Sequence, residues 1–393
     1  IGKYFRGADK ELVTRYREAW EKRIDRLDLD KEKLETGEIS VPNAVFVGAE
    51  DIAYENASGS IKLKVEAYDP KYALSRFNIL VNEVPIYGSD GISIASRGMM
   101  KWDTTITVAL GVGENKIQVS VMNEQGLQNF KYPTYVNYTS ENEIASKTIY
   151  IGIGVNEFED IRAQDLRYCV KDVNDLGELL YAKGNTDTIL LSNASVNLDN
   201  IKKLKAYLQQ STTVNDRVII SCSSHGLLDR KNNFYLAMHN TNFNNPTLGG
   251  LPYAELESLL DSIPARKKLL LIDACNSGLN DSELQELDTM LIAISDSNGR
   301  GDLFKKFLSV QKSSFETMME LFVNVHNESG TVVISAAGGH ESALEGVTVN
   351  GEKIQNGAFT YCVMEYLKRD EQLTVNGLKT YTENRVVALT NGD

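Results

Sequence analysis

The sequence predicts an α/β domain with a mostly parallel central sheet, preceded by a β-sandwich and a short helical linker. Residues 146–393 alternate continuous apolar runs with helical patterns. Residues 41–140 contain short runs in which apolar and polar residues alternate. Residues 1–40 are charged and carry apolar residues three or four positions apart. Each pattern has the period of one kind of secondary structure, so three segments with these bounds are predicted.

The composition predicts an ordinary globular protein. The 393 residues are 42% hydrophobic and 24% charged, enough for two or three domains. The net charge of −13 argues against nucleic acid or an anionic membrane as the main partner. No apolar run approaches the roughly 18 residues of a membrane-spanning helix, and no signal peptide is expected. Because the chain starts at Ile1 rather than Met, we expect a fragment or a processed product, which leaves room for a further upstream domain.

The four cysteines predict a reduced, cytoplasmic protein. They stand far apart and form no C-x-x-C pair, so neither a zinc site nor a disulfide framework is indicated. Cys222 and Cys362 are predicted to be core residues. The other two are Cys169 and Cys275.

The first segment predicts one amphipathic helix. Its apolar stripe consists of Leu12, Tyr16, Trp20, Ile24 and Leu27, at spacings of three and four. We expect a linker helix that packs on a neighbouring domain. A helix that binds a partner is the alternative.

The second segment predicts a β-sandwich that resembles an immunoglobulin-like domain. In SIKLKVEAYD, apolar residues from Ile61 to Ala67 alternate with polar ones, and the same alternation returns in FNILV, TITVAL and KIQVSV. Turn sequences such as YGSDG and NEQG separate these runs. The segment contains no cysteine and no chemical motif. We expect a spacer or a module that presents substrate.

The third segment predicts a parallel sheet buried between helices. The predicted strands are TIYIGIGV, TDTILLS, RVIISCS, KKLLLIDA and TVVISAA. Helical patterns such as AQDLRYCVKDVNDLGELLYAK and SFETMMELFVNVH lie between them. Continuous apolar runs indicate strands buried on both faces. In such sheets, reactive groups gather at the carboxyl ends of the strands.

Two of these strands end in residues that suit nucleophilic catalysis. LLLIDACNSG presents Cys275, and VIISCSSHGLL presents His225. A thiol needs a base to become a good nucleophile, and strands that end side by side would bring the imidazole to it. The backbone N–H groups of Gly226 and Cys275 are candidates to hold a developing oxyanion. A buried structural cysteine and an unrelated loop histidine are the alternative.

SSHG and DACNSG resemble the His-Gly and Asp-x-Cys signatures of the caspase–metacaspase clan of cysteine proteases. His225 precedes Cys275 by 50 residues, the separation typical of caspases. The similarity extends from about Ser146 to Asp393 and includes YIGIGVNEFED, LRYCVKDVNDL, VVISAAGGHESALEG and NGAFTYCVMEYL. These pieces resemble bacterial caspase-like proteases with an immunoglobulin-like domain in front. The resemblance implies a caspase-like α/β/α sandwich and a cysteine endopeptidase with a Cys–His dyad, which needs no metal or other cofactor.

The residues around the dyad resemble metacaspases more than caspases. The metacaspase pocket for a basic residue uses an aspartate two before the cysteine, a serine two before the histidine, and a Cys-x-x-Asp pair on the first helix. The matching residues here are Asp273, Ser223, Cys169 and Asp172. Two carboxylates would attract arginine or lysine, so cleavage of a protein or peptide after a basic residue is expected. Cleavage after aspartate is the alternative, and a solvated helical charge is the alternative for Asp172.

Two features depart from the metacaspase pattern. Asn276 replaces the histidine of DxCHSG, and the stretch after His225 is rich in asparagine rather than acidic residues, which argues against calcium dependence.

In caspase-like enzymes the polar linker at 279–314 is often cut during activation. Self-cleavage at Arg300 or Lys306 is therefore one hypothesis, and an uncut surface loop is the other.

Two further functions remain open from sequence. The first is a catalytically silent scaffold that signals through binding, and the second is a hydrolase or transferase that acts on small molecules.

GIGV and GVGEN complete no dinucleotide or phosphate fingerprint, so they are predicted to be a strand and a turn. His239 is predicted to lie in a hairpin as a structural residue, His326 at a helix end and His340 in a loop.

Overall fold

A computed structural model describes most of the chain. It covers Arg17, Trp20, Glu21, Ile24, Asp25, Lys31 and residues 39–229, 233–274, 330–336, 348–349, 351–369 and 374–390. No helix in these parts of the chain is both long and apolar enough to cross a lipid bilayer.

The second segment folds as two antiparallel sheets around one core. One sheet has the order β1-β3-β7, and the other has the order β2-β9-β8-β4-β5 with β6 paired to β4; only the β2–β9 pair is parallel. The strands are β1 Asn43–Phe46, β2 Glu55–Asn56, β3 Ser60–Tyr68, β4 Leu74–Val81, β5 Val84–Pro85, β6 Ile92–Ser93, β7 Lys101–Ala109, β8 Gly113–Asn123 and β9 Thr134–Tyr138.

The alternation in β3 gives this sandwich its inner face. Leu63, Val65 and Ala67 are buried, whereas Lys62, Lys64 and Glu66 between them are exposed. Successive side chains of a strand point to opposite faces, so the apolar set packs into the shared core. The predicted β domain is confirmed, while its bounds at 41 and 140 stay predictions.

The third segment forms a five-stranded parallel sheet of order β11-β10-β12-β16-β17. All five predicted strands are present. They are β10 Thr148–Gly154, β11 Thr186–Ser192, β12 Arg217–Ser223, β16 Lys267–Asp273 and β17 Thr331–Ser335.

Helices cover both faces of this sheet. The helices are α1 Cys169–Ala182, α2 Leu198–Ser211, α3 Tyr253–Leu260, α4 Ala358–Leu367 and α5 Val375–Thr390. α2 and α3 share a core with Ile149, Ile151 and Ile153 of β10. α1, α4 and α5 share the opposite core with Tyr150 of the same strand. The predicted α/β/α sandwich is confirmed.

One strand departs from the predicted burial on both faces. β11 alternates between half-buried and exposed residues, and Leu190 is 44% exposed. Among the described strands it pairs only with β10, so it forms one edge of the sheet. An apolar run therefore identified the strand but not its place at the edge.

The glycines of GIGV let α1 lie close against β10. A Cβ on Gly154 would stand 2.7 Å from the Cys169 carbonyl oxygen and 2.9 Å from Val170 Cα. Only a glycine allows this approach without a backbone shift. As a result, the amino end of α1 reaches the carboxyl end of β10.

Smaller elements complete the domain. β13 Gly226–Leu228, β14 Phe234–Leu236 and β15 Leu251–Pro252 form an antiparallel sheet, and β18 Thr348–Val349 pairs with β19 Glu352–Lys353. His239 lies in the turn that follows β14, as the hairpin prediction expected. The cysteines that the structure describes, Cys169, Cys222 and Cys362, are all buried.

The predicted linker helix is described only in part. Trp20 and Ile24 are helical, with Ile24 buried and Trp20 39% exposed. Leu12, Tyr16 and Leu27 lie outside the described residues, and so does the predicted helix at 314–326. The bounds at 40 and 146 stay predictions.

Candidate active site

Two neighbouring strands bring the predicted site together at the carboxyl end of the sheet. β12 and β16 pair in parallel, and Ser223 stands opposite Asp273 in the last position of that register. His225 follows β12 by two residues. Cys275 lies outside the described residues, so its pairing with His225 stays a prediction.

The imidazole of His225 is buried and held by the main chain. It is 9% exposed, and its Nε2 lies 2.7 Å from the carbonyl oxygen of Gln164. A carbonyl oxygen only accepts, so Nε2 must carry the proton and donate it. In the neutral ring, Nδ1 is then the basic nitrogen.

Backbone and aromatic contacts fix the same residue further. The Ala237 N–H donates to the His225 carbonyl oxygen at 2.8 Å. The ring centroid of Phe158 lies 5.1 Å from that of His225, and the centroid of Phe243 lies 5.6 Å away. These contacts leave the imidazole little freedom to rotate.

Asp172 is buried rather than solvated, so the alternative of an exposed helical charge is wrong. It lies in the first turn of α1 and is 2% exposed. Its Oδ1 accepts from Asn356 Nδ2 at 2.9 Å and from the Gly357 N–H at 3.0 Å. Its Oδ2 accepts from Ser223 Oγ at 3.5 Å. A buried carboxylate requires such donors, since burial removes its hydration.

Asp273 ends β16 and approaches the same place from the sheet. It is 5% exposed, and its Oδ2 accepts from Thr360 Oγ1 at 2.7 Å and from the Thr360 N–H at 3.3 Å. A Cβ on Gly357 would stand 2.8 Å from Asp273 Oδ2 and 3.1 Å from Asp172 Oδ2. The two carboxylates therefore converge on Gly357, the N-cap of α4.

The amino end of a helix suits two buried carboxylates. The first N–H groups of a helix have no partner within it, and the helix dipole is positive there. Asp172 takes the N–H of Gly357 and Asp273 takes that of Thr360, so α4 supplies donors to both. The donors of α4 therefore stabilise the convergence of the two carboxylates.

The structure also gives the positions of the two other predicted site residues. Cys169 opens α1 one turn before Asp172 and is buried. Gly226 opens β13 directly after His225 and is buried. The roles in substrate binding and in the oxyanion site stay predictions. Arg300, Lys306, His326 and His340 lie outside the described residues.

A cleft of about 530 Å³ lies beside the carboxylates, between α1 and α4. Its walls include Asp175, Asn356 and Tyr361. Asn356 Nδ2 bridges Asp172 Oδ1 and Asp175 Oδ2, each at 2.9 Å. Within the described ranges, no three His, Cys, Asp or Glu residues are arranged to hold a metal ion.

Sequence reasoning missed four contributors to this site. Gln164 acts through its carbonyl, which every residue carries, so no sequence signal could have identified it. Asn356, Gly357 and Thr360 lie in NGAFTYCVMEYL, a stretch that carried the family resemblance without a role for any residue. The small, polar N-G-x-x-T start of a helix was the available signal.

Comparison with known proteins identifies the family. The caspase domain model of peptidase family C14 matches residues 149–392. No curated protein matches the chain. Among solved structures, protein GSU0716 from Geobacter sulfurreducens is 15% identical, over 61% of this chain and 89% of that one, with a TM-score of 0.38.

Two further solved structures are similar at lower identity. The Drosophila initiator caspase Dronc is 9% identical, over 61% of this chain and 72% of that one, with a TM-score of 0.36. The fibronectin(III)-like modules of Clostridium thermocellum CbhA are 13% identical, over 27% of this chain and 53% of that one, with a TM-score of 0.19. The family match alone covers more than half of the chain, and the protein therefore belongs to the caspase family of cysteine peptidases.

Proposed function

We propose that this caspase-family protein is an endopeptidase that cleaves after arginine or lysine, with Cys275 as the nucleophile and His225 as the general base. The observation that carries the proposal is the convergence of Asp172 and Asp273 on Gly357, beside Ser223 and at the end of the sheet where His225 lies. A protein or peptide is the substrate, and cytoplasm is the expected location.

The catalytic cycle follows from the tautomer of His225. Nδ1 takes the proton of the Cys275 thiol, and the sulfur attacks the scissile carbonyl carbon. The N–H groups of Gly226 and Cys275 hold the oxyanion. The imidazolium then gives its proton to the leaving amine, which leaves an acyl-enzyme. Water, deprotonated by the same Nδ1, hydrolyses the thioester and restores the thiol.

The Gln164 carbonyl acts throughout this cycle. It accepts the Nε2 proton in the neutral ring and stabilises the imidazolium when Nδ1 is also protonated. A backbone carbonyl can do this without titrating itself.

Substrate selection follows from the two carboxylates. A guanidinium is planar and pairs with carboxylates through several N–H groups, and an ammonium pairs as a point charge. Asp172 and Asp273 are the charges of this pocket, and Ser223 and Cys169 line it. An aspartate side chain would be repelled, which disfavours cleavage after aspartate.

The test compares the wild type with Cys275→Ala and Asp273→Asn on short fluorogenic peptides ending in Arg, Lys or Asp. We expect turnover after Arg or Lys, none in Cys275→Ala, and a fall of kcat/KM of about a hundredfold in Asp273→Asn. Asp187→Asn, on the exposed edge strand, is the matched control and should leave turnover unchanged. Turnover after Asp would contradict the basic specificity. Silence on every peptide, with and without calcium, would favour the scaffold.

Self-processing in the linker at 279–314 is part of the same proposal. An enzyme that cleaves after basic residues would cut itself at Arg300 or Lys306. The wild type should then show two fragments on a denaturing gel, whereas Cys275→Ala stays whole. If Arg300→Ala combined with Lys306→Ala is still cut at the same places, this assignment is wrong.

A further inference from the structure

Two loops form the wall beside His225, and they are joined to each other. One follows β10 and covers residues 155–168, and the other follows β14 and covers residues 237–250. The Glu159 N–H donates to the His239 carbonyl oxygen at 2.9 Å, and His239 Nδ1 donates to the Glu157 carbonyl oxygen at 2.7 Å. In these two hydrogen bonds, each loop donates once to the other.

Asp160 is the strongest link in this wall. Its Oδ2 accepts from the Phe243 N–H at 2.9 Å. Arg162 holds the same carboxylate from the other side, with Nε 2.7 Å from Oδ1 and Nη2 2.6 Å from Oδ2. This pairing with Arg162 holds the pKa of Asp160 well below its usual range, so the link stays charged.

The anchored loop carries the Phe243 ring to the imidazole. The rings of Phe158, Phe243 and His225 touch one another, with centroid separations of 5.1, 5.3 and 5.6 Å. Phe243 meets both others nearly edge-on, at 78° and 86°. The hydrogen bond from Nε2 to the Gln164 carbonyl oxygen holds one edge of the imidazole. The two phenyl rings pack against the imidazole and restrict its tilt.

We infer that Phe243 is a positioning residue for His225 and that Asp160, fixed by Arg162, acts through it. This rests on the proposed role of His225 as the general base. The rings set the direction of Nδ1, and the Asp160–Phe243 bond sets the place of the ring. Misplacement of a reacting group by an ångström or less lowers the rate of the chemical step and leaves substrate binding largely intact.

Phe243→Leu and Phe243→Tyr test the ring itself. Phe243 is half-buried, so both variants should fold. We expect kcat to fall about tenfold in Phe243→Leu with KM unchanged, and Phe243→Tyr to keep the wild-type kcat, because a tyrosine preserves the ring. Ile161→Ala is the matched control, since Ile161 lies between Asp160 and Arg162 but is 99% exposed. An unchanged kcat in Phe243→Leu, or an equal loss in Ile161→Ala, overturns the inference.

A double-mutant cycle tests whether Asp160 acts through Phe243. Asp160→Ala alone should lower kcat about tenfold, and adding it to Phe243→Leu should lower kcat little further, since both remove one restraint. Losses that multiply to about a hundredfold would show independent effects and reject the inferred link.

The rate of Cys275 alkylation by iodoacetamide separates this inference from the proposed function. Burial raises the pKa of Cys222 and Cys362 to about 12, so these thiols should stay unmodified at neutral pH. The masses of proteolytic peptides show which cysteine has been alkylated. The variant His225→Ala gives the rate of Cys275 alkylation in the absence of the base. A slower reaction in Phe243→Leu supports the inference even if no peptide is cleaved, which would reject only the protease proposal. A rate equal to that of the wild type overturns the inference.

Discussion

At the scale of single residues, the candidate pocket depends on how two buried carboxylates are held. Asp172 is held by an amide and a main-chain N–H, and Asp273 by a hydroxyl and a main-chain N–H. These four donors, among those that the two carboxylates have, come from Asn356, Gly357 and Thr360, on one short stretch. The proposed specificity should therefore respond to substitutions at the start of α4, which lie outside the proposed Cys275–His225 dyad.

Thr360→Val should weaken the binding of basic substrates. The change keeps the shape of the side chain and removes the hydroxyl that donates to Asp273 at 2.7 Å. With one donor lost, Asp273 is less firmly oriented toward a substrate cation. We expect KM for an arginine peptide to rise about fivefold and the free energy of unfolding to fall by about 1 kcal/mol.

Thr382→Val is the matched control for this change. Thr360 and Thr382 are both 2% exposed, and the Thr382 hydroxyl donates to the Leu378 carbonyl oxygen within α5. It should lose similar stability, measured by urea unfolding, without a change in KM. An equal rise of KM in both variants would mean that the effect is general loosening of the fold.

Gly357→Ala should obstruct the pocket directly. Gly357 has φ −62°, which alanine adopts without strain. The added methyl would stand 2.8 Å from Asp273 Oδ2. We expect kcat/KM for arginine peptides to fall about tenfold, since the carboxylates must move apart. Gly111→Ala, whose Cβ would meet nothing closer than 3.5 Å, is the comparison and should be neutral.

At the scale of elements, the sequence predicted the strands better than it predicted their surroundings. The runs in β10, β12 and β16 are buried on both faces, as their continuous hydrophobicity indicated. TDTILLS is almost as apolar as the sequences of those strands. Nevertheless, β11 is an edge strand whose residues are half-buried or exposed. Strand order is decided by contacts distant in sequence, which local hydrophobicity does not encode.

Strand β16 carries a lysine whose side chain is buried. Lys268, at the amino end of β16, is 4% exposed, and its Nζ has no hydrogen-bond partner among the residues the structure describes. Burial lowers the pKa of this ammonium to about 8. Folding therefore has to desolvate a positive charge at neutral pH.

Lys268→Met should stabilise the protein at pH 7 by about 2 kcal/mol. In the wild type, the unfolded chain binds the Lys268 proton more tightly than the folded chain does. The penalty is therefore complete below pH 8 and disappears as pH rises toward the unfolded pKa of about 10.4. Urea unfolding at pH 7 and pH 10 should show the variant's advantage shrinking as pH rises. Lys267→Met, at the exposed neighbour, should show no such trend, and a constant advantage would contradict the burial argument.

At the scale of the whole molecule, the candidate site combines parts that the sequence could and could not reveal. Ser223 and Asp273 end two neighbouring strands, and His225 follows the first of them. Parallel strands end at one edge of a sheet, so the proximity of these residues was predictable. The Gln164 carbonyl and the Phe243 ring belong to loops, whose paths depend on tertiary contacts. The family resemblance supplied Asp172 as a candidate, but its donors on α4 became evident only in the folded chain.

The β-sandwich contacts the peptidase domain at the end of the sheet opposite this site. The Ser89 N–H donates to Asp261 Oδ1 at 2.8 Å, and the Val112 N–H donates to Asn215 Oδ1 at 2.9 Å. Arg266 donates to the Ala109 carbonyl oxygen. Asn215 lies two residues before β12 and Arg266 directly before β16, whereas His225 and Asp273 lie at the carboxyl ends of these strands. This arrangement favours a spacer over a module that presents substrate.

Asp261→Ala combined with Asn215→Ala should therefore make the two domains unfold independently while leaving catalysis intact. Both changes remove acceptors from N–H groups across the interface, at about 1 kcal/mol each. Calorimetry should show one unfolding transition in the wild type and two in the double variant, because domains with a weakened interface unfold independently. Turnover of an arginine peptide should be unchanged, since no altered residue lies near the carboxyl ends of the strands. Lost turnover with a single transition would instead mean that the sandwich supports the active site through the length of the sheet.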